Sequence, residues 1–168
     1  NTDKVSPHIS GDYVVWIDNV DQNKDLFLYQ LSTGTEIDLT PDWRCQNPGN
    51  LYPSQEAPAI DGTYIVWQDW RNGTWDIFLY DILSGNETLV TENTDDSNQE
   101  SPDISGNRIV WSDDRNKGFD ENLGRNAYDI YLSLIPSGEA QLLSSTMPEA
   151  SLENPHIWGN YVVCEGLD

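Results

Sequence analysis

The apolar positions of this chain fall in short runs, and the runs recur. Four segments align without gaps: Pro7-His8-Ile9-Ser10-Gly11-Asp12-Tyr13-Val14-Val15-Trp16, Pro58-Ala59-Ile60-Asp61-Gly62-Thr63-Tyr64-Ile65-Val66-Trp67, Pro102-Asp103-Ile104-Ser105-Gly106-Asn107-Arg108-Ile109-Val110-Trp111 and Pro155-His156-Ile157-Trp158-Gly159-Asn160-Tyr161-Val162-Val163-Cys164. Their prolines stand 51, 44 and 53 residues apart. A second block follows each of the first three: Asp25-Leu26-Phe27-Leu28-Tyr29, Asp76-Ile77-Phe78-Leu79-Tyr80 and Asp129-Ile130-Tyr131-Leu132-Ser133. Gly34, Gly85 or Gly138 comes next, and a short run closes the unit: Ile37 to Thr40, Thr88 to Thr91, Gln141 to Leu143.

This pattern predicts a four-stranded antiparallel meander. Strand A holds the Pro-x-Ile segment. A tight Gly turn leads to strand B, where glycine takes a positive φ at no steric cost. The Tyr-Val-Val-Trp run of strand B is β-branched and aromatic, and its continuous apolar character fits burial on both faces. Strand C is the Asp-Ile-Phe-Leu-Tyr block, and strand D follows the second Gly. No segment keeps a helical period over ten or more residues. A unit this thin cannot bury its own two faces and must stack on neighbours. Radial stacking gives a β-propeller. The expected fold is therefore all-β: one propeller region over 1–168, with blade repeats at about 5–41, 56–92 and 100–144 and a partial one at 153–168. Propellers close with roughly 4 to 8 blades, so about three and a half blades imply a fragment of a ring or an assembly of chains.

These residues resemble the TolB-like family of propeller repeats, whose blade carries a Pro-x-aromatic-Ser-x-Gly start, an Asp-Arg step, an Ile-Tyr strand and a Leu-Thr end. Asp114-Arg115-Asn116 and Trp70-Arg71-Asn72 stand near the Asp-Arg step, Asp76-Ile77-Phe78-Leu79-Tyr80-Asp81 at the third strand, and Leu39-Thr40 and Val90-Thr91 at the blade end. The Ser-Gly-Asp-Tyr-Val-Val-Trp and Ser-Thr-Gly wording is similar to repeats of archaeal cell-surface proteins. The resemblance implies a surface-protein propeller; it leaves the function open, because one fold hosts many functions.

Charge narrows the partners. With 29 acidic and 8 basic residues the formal charge is −21. Nucleic acids and anionic membranes, which need Lys and Arg, are excluded as partners. No stretch approaches the ~20 apolar residues of a membrane-spanning helix. The 7 Trp, 8 Tyr and 3 Phe argue against disorder. No cofactor is required, and a metal cation is the natural counter-charge. Low Cys and Lys counts with many Asn, Thr and Ser suit an extracellular protein, in which Cys45 and Cys164 form a disulfide or remain two thiols.

Several positions are candidates for chemistry. Strand parity puts the long B–C and D–A loops at one end, where Asp18, Asp69, Asp113 and the other loop acids would make an anionic rim. Ca2+ takes about 6 to 8 oxygen ligands, and Asp18, Asp21, Asn23 and Asp25 are the most ligand-like set. The run lacks the glycine and the terminal glutamate of an EF-hand. The alternative is that Asp18, Asp69 and Asp113, each two residues after a Trp, are scaffold carboxylates paired with groups such as Arg71 or Arg115. Trp43, Trp70 and Trp75, with Tyr52, fall in loops and could stack on a sugar. Asn72-Gly73-Thr74 and Asn86-Glu87-Thr88 are glycosylation acceptor triplets.

The sequence carries neither a Gly-x-Ser-x-Gly elbow nor a phosphate-binding glycine loop, and it has only two histidines. The expectation is a non-catalytic extracellular module acting through protein contacts, self-assembly or glycans. A Ca2+- or carbohydrate-binding module and a glycosidase-like propeller are the alternatives.

Overall fold

A computed structural model of the chain describes residues 3–20, 23–41, 54–91, 97–121, 124–136, 138–144 and 151–167. The first blade consists of β1 (Asp3–Ser10), β2 (Tyr13–Val20), β3 (Asn23–Gln30) and β4 (Thr35–Asp38). The second consists of β5 (Gln55–Asp61), β6 (Tyr64–Asp69), β7 (Asp76–Asp81) and β8 (Asn86–Leu89). The third consists of β9 (Gln99–Ser105), β10 (Arg108–Asp120), β11 (Arg125–Leu134) and β12 (Gln141–Leu142). The fourth unit supplies β13 (Ser151–Trp158) and β14 (Tyr161–Leu167). Each full blade is an antiparallel sheet in chain order, and β13 pairs with β14 alone. The chain is thus an all-β partial propeller of three complete blades and a half. Each A–B turn carries its glycine at positive φ: Gly11 at 55°, Gly62 at 59°, Gly106 at 61° and Gly159 at 58°.

Side-chain alternation sends each strand's residues to two neighbours, since successive residues point to opposite faces. The first core cluster joins Val15, Ile17, Leu26, Leu28 and Leu39 of the first blade to Ile65, Trp67 and Phe78 of the second. The next joins Ala59, Val66, Ile77 and Leu79 to Ile104, Ile109, Trp111 and Tyr131. The third residue of each B strand (Val15, Val66) therefore faces the following blade. The second and fourth (Ile65 and Trp67; Ile109 and Trp111) face the preceding one. A polar staple crosses each junction at the A–B turns. Ser10 Oγ accepts from the Gly62 amide (2.9 Å), Asp61 Oδ2 from Gly106 (2.6 Å) and Ser105 Oγ from Gly159 (3.0 Å).

Two sequence expectations change. The first-blade B–C segment, read as an acidic loop, is a tight hairpin: Asp18 lies opposite Asp25, Asn19 opposite Lys24 and Val20 opposite Asn23. In the third blade, β10 and β11 continue through the region read as a loop, with Gly118, Phe119 and Asp120 opposite Ala127, Asn126 and Arg125 after a break in register. The third C–D turn also departs from the first two. Gly34 and Gly85 take φ of 70° and 69°. Gly138 is instead crowded, and a Cβ there would stand 2.7 Å from the Leu134 nitrogen.

Candidate functional site

The repeated aspartates form a scaffold. Asp69 accepts from the Trp67 indole (3.0 Å), the Arg71 amide (2.9 Å) and Arg71 Nη2 (2.5 Å). Asp113 does the same with Trp111 (3.0 Å), the Arg115 amide (3.0 Å) and Arg115 Nη2 (2.7 Å). The guanidiniums lie over the aromatic rings stacked on those tryptophans, Arg71 4.1 Å from Phe78 and Arg115 4.6 Å from Tyr131. Burial alone would lower the Arg71 pKa, but bonds and charge from Asp69 and Glu87 outweigh it and raise it above the usual value. In the first blade Lys4, from the neighbouring strand, takes the arginine's place. Its Nζ bonds Asp18 at 2.6 Å and lies 4.6 Å from the Trp16 ring.

A second set of acids seals the ends of the second and third blades. The Thr91 hydroxyl accepts the Ile77 amide (3.1 Å) and donates to Asp76 (3.3 Å); Ser144 accepts from Ile130 (3.2 Å) and donates to Asp129 (2.7 Å). Desolvation raises the Asp76 pKa above its ordinary value. The rim expected to be anionic has much of its repeated acid turned inward: Asp18, Asp25, Asp69, Asp76, Asp113 and Asp129 are all buried.

Of the residues singled out earlier, the structure brings together Asp18 with Asp25 and Trp70 with Trp75. Asp18 is bonded to Lys4 and lies opposite Asp25 across a hairpin, while Asp21 lies outside the described residues. Asn23 is described as backbone at the start of β3. Among the described residues no three His, Cys, Asp or Glu side chains are grouped to hold a metal ion. Trp70 and Trp75 pack edge to face with ring centres 5.2 Å apart, and both are half-buried. Trp43 and Tyr52 lie outside the described residues. Asn72 donates to Asp76 (2.9 Å), and Asn86 is exposed at the start of β8. Cys164 is exposed, and burial of its sulfur still pushes the thiol upward; Cys45 lies outside the described residues.

What brings different residue types together is the axis of the arc, which sequence reasoning missed. Each A strand has a left-handed residue before its proline: Ser6 (51°), Ala57 (48°), Ser101 (53°) and Asn154 (49°). Such a φ costs a non-glycine residue about 1–3 kcal/mol and persists only where surrounding structure enforces it. At each of these points the pairing to strand B shifts register, a bulge that re-aims the inner strand. The four bulges surround a cavity of about 380 Å³ lined by Ser6, His8, Ser101, Asp103, Asn154, His156 and Glu165 together with Ala57, Ala59 and the inner prolines.

Both histidines of the chain are in it. His156 Nδ1 is 3.3 Å from Asp103 Oδ2, which accepts the Ile157 amide at 2.8 Å. Ser101 donates to Asn154 (3.1 Å) and Asn154 to Glu165 (3.1 Å). This cavity offers carboxylates, imidazoles and an amide to a polar or cationic group. The aligned residue before each proline was the signal that could have found it.

No protein-family model matches the sequence, and no curated protein matches it. Solved structures do. A TolB from Agrobacterium tumefaciens superposes with a TM-score of 0.59 at 16% identity, covering 85% of this chain and 49% of that one. A puromycin hydrolase gives 0.66 at 13% identity, covering 97% and 25%. A chain of a nidogen/laminin complex gives 0.52 at 17%, covering 83% and 48%. The chain thus spans half or less of the structures it resembles, and at these identities the likeness concerns the fold. By blade architecture and by these superpositions, the chain has a TolB-like β-propeller fold.

Proposed function

We propose that the chain is a non-catalytic extracellular propeller module of a cell-surface or filament-forming protein, working through protein–protein or glycan contacts. One observation carries this reading. The repeated carboxylates, the residues best supplied for acid–base or metal chemistry, make the same buried bonds to Trp and Arg in successive blades. A repeat reproduces its scaffold first, and these acids are the scaffold. What is left at the surface is an axial cavity of mixed polar groups, which supports a contact role. The peptidase-type neighbours are matched over about a quarter of their length, so their activity does not travel with the likeness.

The test is cross-linking of intact source cells with a membrane-impermeant reagent, followed by identification of the chain's adducts. The reading expects adducts to other envelope components. A chain the reagent cannot reach, or turnover of glycosyl or peptidyl substrates by the purified protein, would contradict it.

A further inference from the structure

Two triplets of this chain have the asparagine-x-threonine form that accepts an oligosaccharide, and the fold presents them in opposite ways. The transfer needs two groups accessible at once: the asparagine amide nitrogen, which attacks, and the threonine hydroxyl two residues on, which the transferase binds.

Asn72-Gly73-Thr74 lies in the B–C turn of the second blade. The Asn72 amide is engaged by the fold, its Nδ2 donating to Asp76 Oδ2 at 2.9 Å. Gly73 is wound into the turn at a φ of 94°, its amide on the Trp70 carbonyl at 3.0 Å. The Thr74 hydroxyl oxygen is buried. The pair of groups is on offer only if the turn opens, and opening it would uncover Asp76, which is fully buried.

Asn86-Glu87-Thr88 opens β8, the outermost strand of the second blade, which pairs with β7 on one side only. Successive strand residues point to opposite faces, so Asn86 and Thr88 project together while Glu87 turns the other way. The structure follows that parity. Asn86 and Thr88 are exposed, and neither side chain makes a hydrogen bond among the described residues. Glu87 is half-buried and accepts from Arg71 Nη1 at 2.6 Å. The triplet is thus held extended, with amide and hydroxyl on one open side.

The edge itself gives an independent reason. An outer strand leaves a row of unpaired backbone groups, which proteins blunt with charge, with shortness or with cover. The edge of the first blade, β4, carries Glu36 and Asp38 within its four residues. That of the third, β12, is two residues long. The edge of the second, β8, has four residues and one acid, and that acid is paired with Arg71. Leu89 on this strand is 38% exposed, and Leu83 in the turn before it 78%. The edge that lacks both devices is the one that carries the acceptor.

We propose, resting on the extracellular reading above, that Asn86 is N-glycosylated, on the outer edge of the second blade, and that Asn72 is not. In the transfer, Asn86 Nδ2 attacks the anomeric carbon of an oligosaccharide carried on a polyprenyl phosphate. A C–N bond forms and the bond from that carbon to the phosphate oxygen breaks. The lipid phosphate leaves with the electron pair, and the nitrogen gives up one proton to a base of the transferase. Asn86 thereby loses an N–H that the described fold does not use, whereas Asn72 already commits one to Asp76.

The test is glycopeptide mass spectrometry of the full chain recovered from its source cells, after digestion with chymotrypsin, which separates the two triplets at Phe78 and Tyr80. The account expects the glycan mass on the peptide containing Asn86 and none on the peptide containing Asn72. Asn86→Gln and Thr88→Ala should each abolish the modification, Thr88→Ser should keep it, and Asn72→Gln should leave it unchanged. A glycan on Asn72, or an unmodified Asn86, overturns the assignment. The cross-linking described above then tells the two failures apart: a chain the impermeant reagent reaches keeps the surface reading without its glycan, and a chain it cannot reach loses both.

Discussion

Trp16 and Trp67 hold the same position of the repeat, one blade apart, and their surroundings differ in an instructive way. Trp67 is fully buried beneath a neighbouring blade, its indole donates to Asp69, and Arg71 covers the ring stacked against it. Among the described residues no blade lies behind Trp16, and its buried indole nitrogen finds no hydrogen-bond partner among them. Asp18 is instead bonded to Lys4, which reaches across from β1 and lies over both Trp16 and Phe27. A cation over the aromatic pair and a carboxylate beneath it are kept, while the donor's place in the chain is not. The third unit repeats the full form with Trp111, Asp113 and Arg115. The fourth has Cys164 in the tryptophan's place and Gly166 in the aspartate's, and Cys164 is exposed.

The comparison can be broken most severely at the rings. Trp67→Ala is expected to cost about 3–5 kcal/mol, the range for emptying a large core site, and Trp16→Ala distinctly less because its backward side faces no blade; urea unfolding midpoints check both. Next comes Asp69→Ala. It strands the Trp67 indole donor and leaves the half-buried Arg71 guanidinium with Glu87 alone, so it should cost about 2–3 kcal/mol, the upper end for losing hydrogen bonds to a charged group. Asp18→Ala should cost about 1 kcal/mol, because the Lys4 side chain is 51% exposed and regains water. Smaller again is removal of a junction staple: Ser105→Ala should lose about 1 kcal/mol, the net worth of one hydrogen bond, visible as a shift in thermal midpoint.

The smallest effect is pH-dependent. Burial raises the pKa of Glu100 above its ordinary 4.5, with the Tyr128 hydroxyl (3.0 Å) opposing and the charges of Asp114, Glu153 and Glu56 adding to the rise. A carboxyl whose folded pKa is raised binds its proton more tightly in the native state. Its charge is therefore a destabilising contribution, fully present above the folded pKa and gone below 4.5. Glu100→Gln should raise the melting temperature at pH 7, and the gain should shrink as pH falls through that window. A gain that is independent of pH would contradict the assignment.

How much of this was legible beforehand depends on whether a feature is local. The Gly turns, the four strands and the buried Val-Val-Trp runs follow from short-range pattern, and they stand where the sequence puts them. The role of Asp69 and Asp113 was readable as one of two alternatives, because their arginines lie two residues on. Lys4 was not readable as the partner of Asp18, since that contact spans a hairpin and is set by register. The B–C segments of the first and third blades looked like loops because they are polar. A hairpin that projects beyond the stack satisfies its backbone by pairing and has no need of apolar alternation. The axial cavity was hidden for a similar reason: Ser6, Ala57, Ser101 and Asn154 share no side-chain chemistry, only a position before proline and a backbone conformation.

The central claim is that successive units bury one another through fixed positions of the repeat, and amide hydrogen exchange on the dilute, unassociated chain tests it most directly. The account predicts the slowest exchange in β6 and β10, each covered on both sides, intermediate protection in β2, and the fastest exchange among the B strands in β14. Equal protection of β14 and β6, or a most-protected β2, would contradict it.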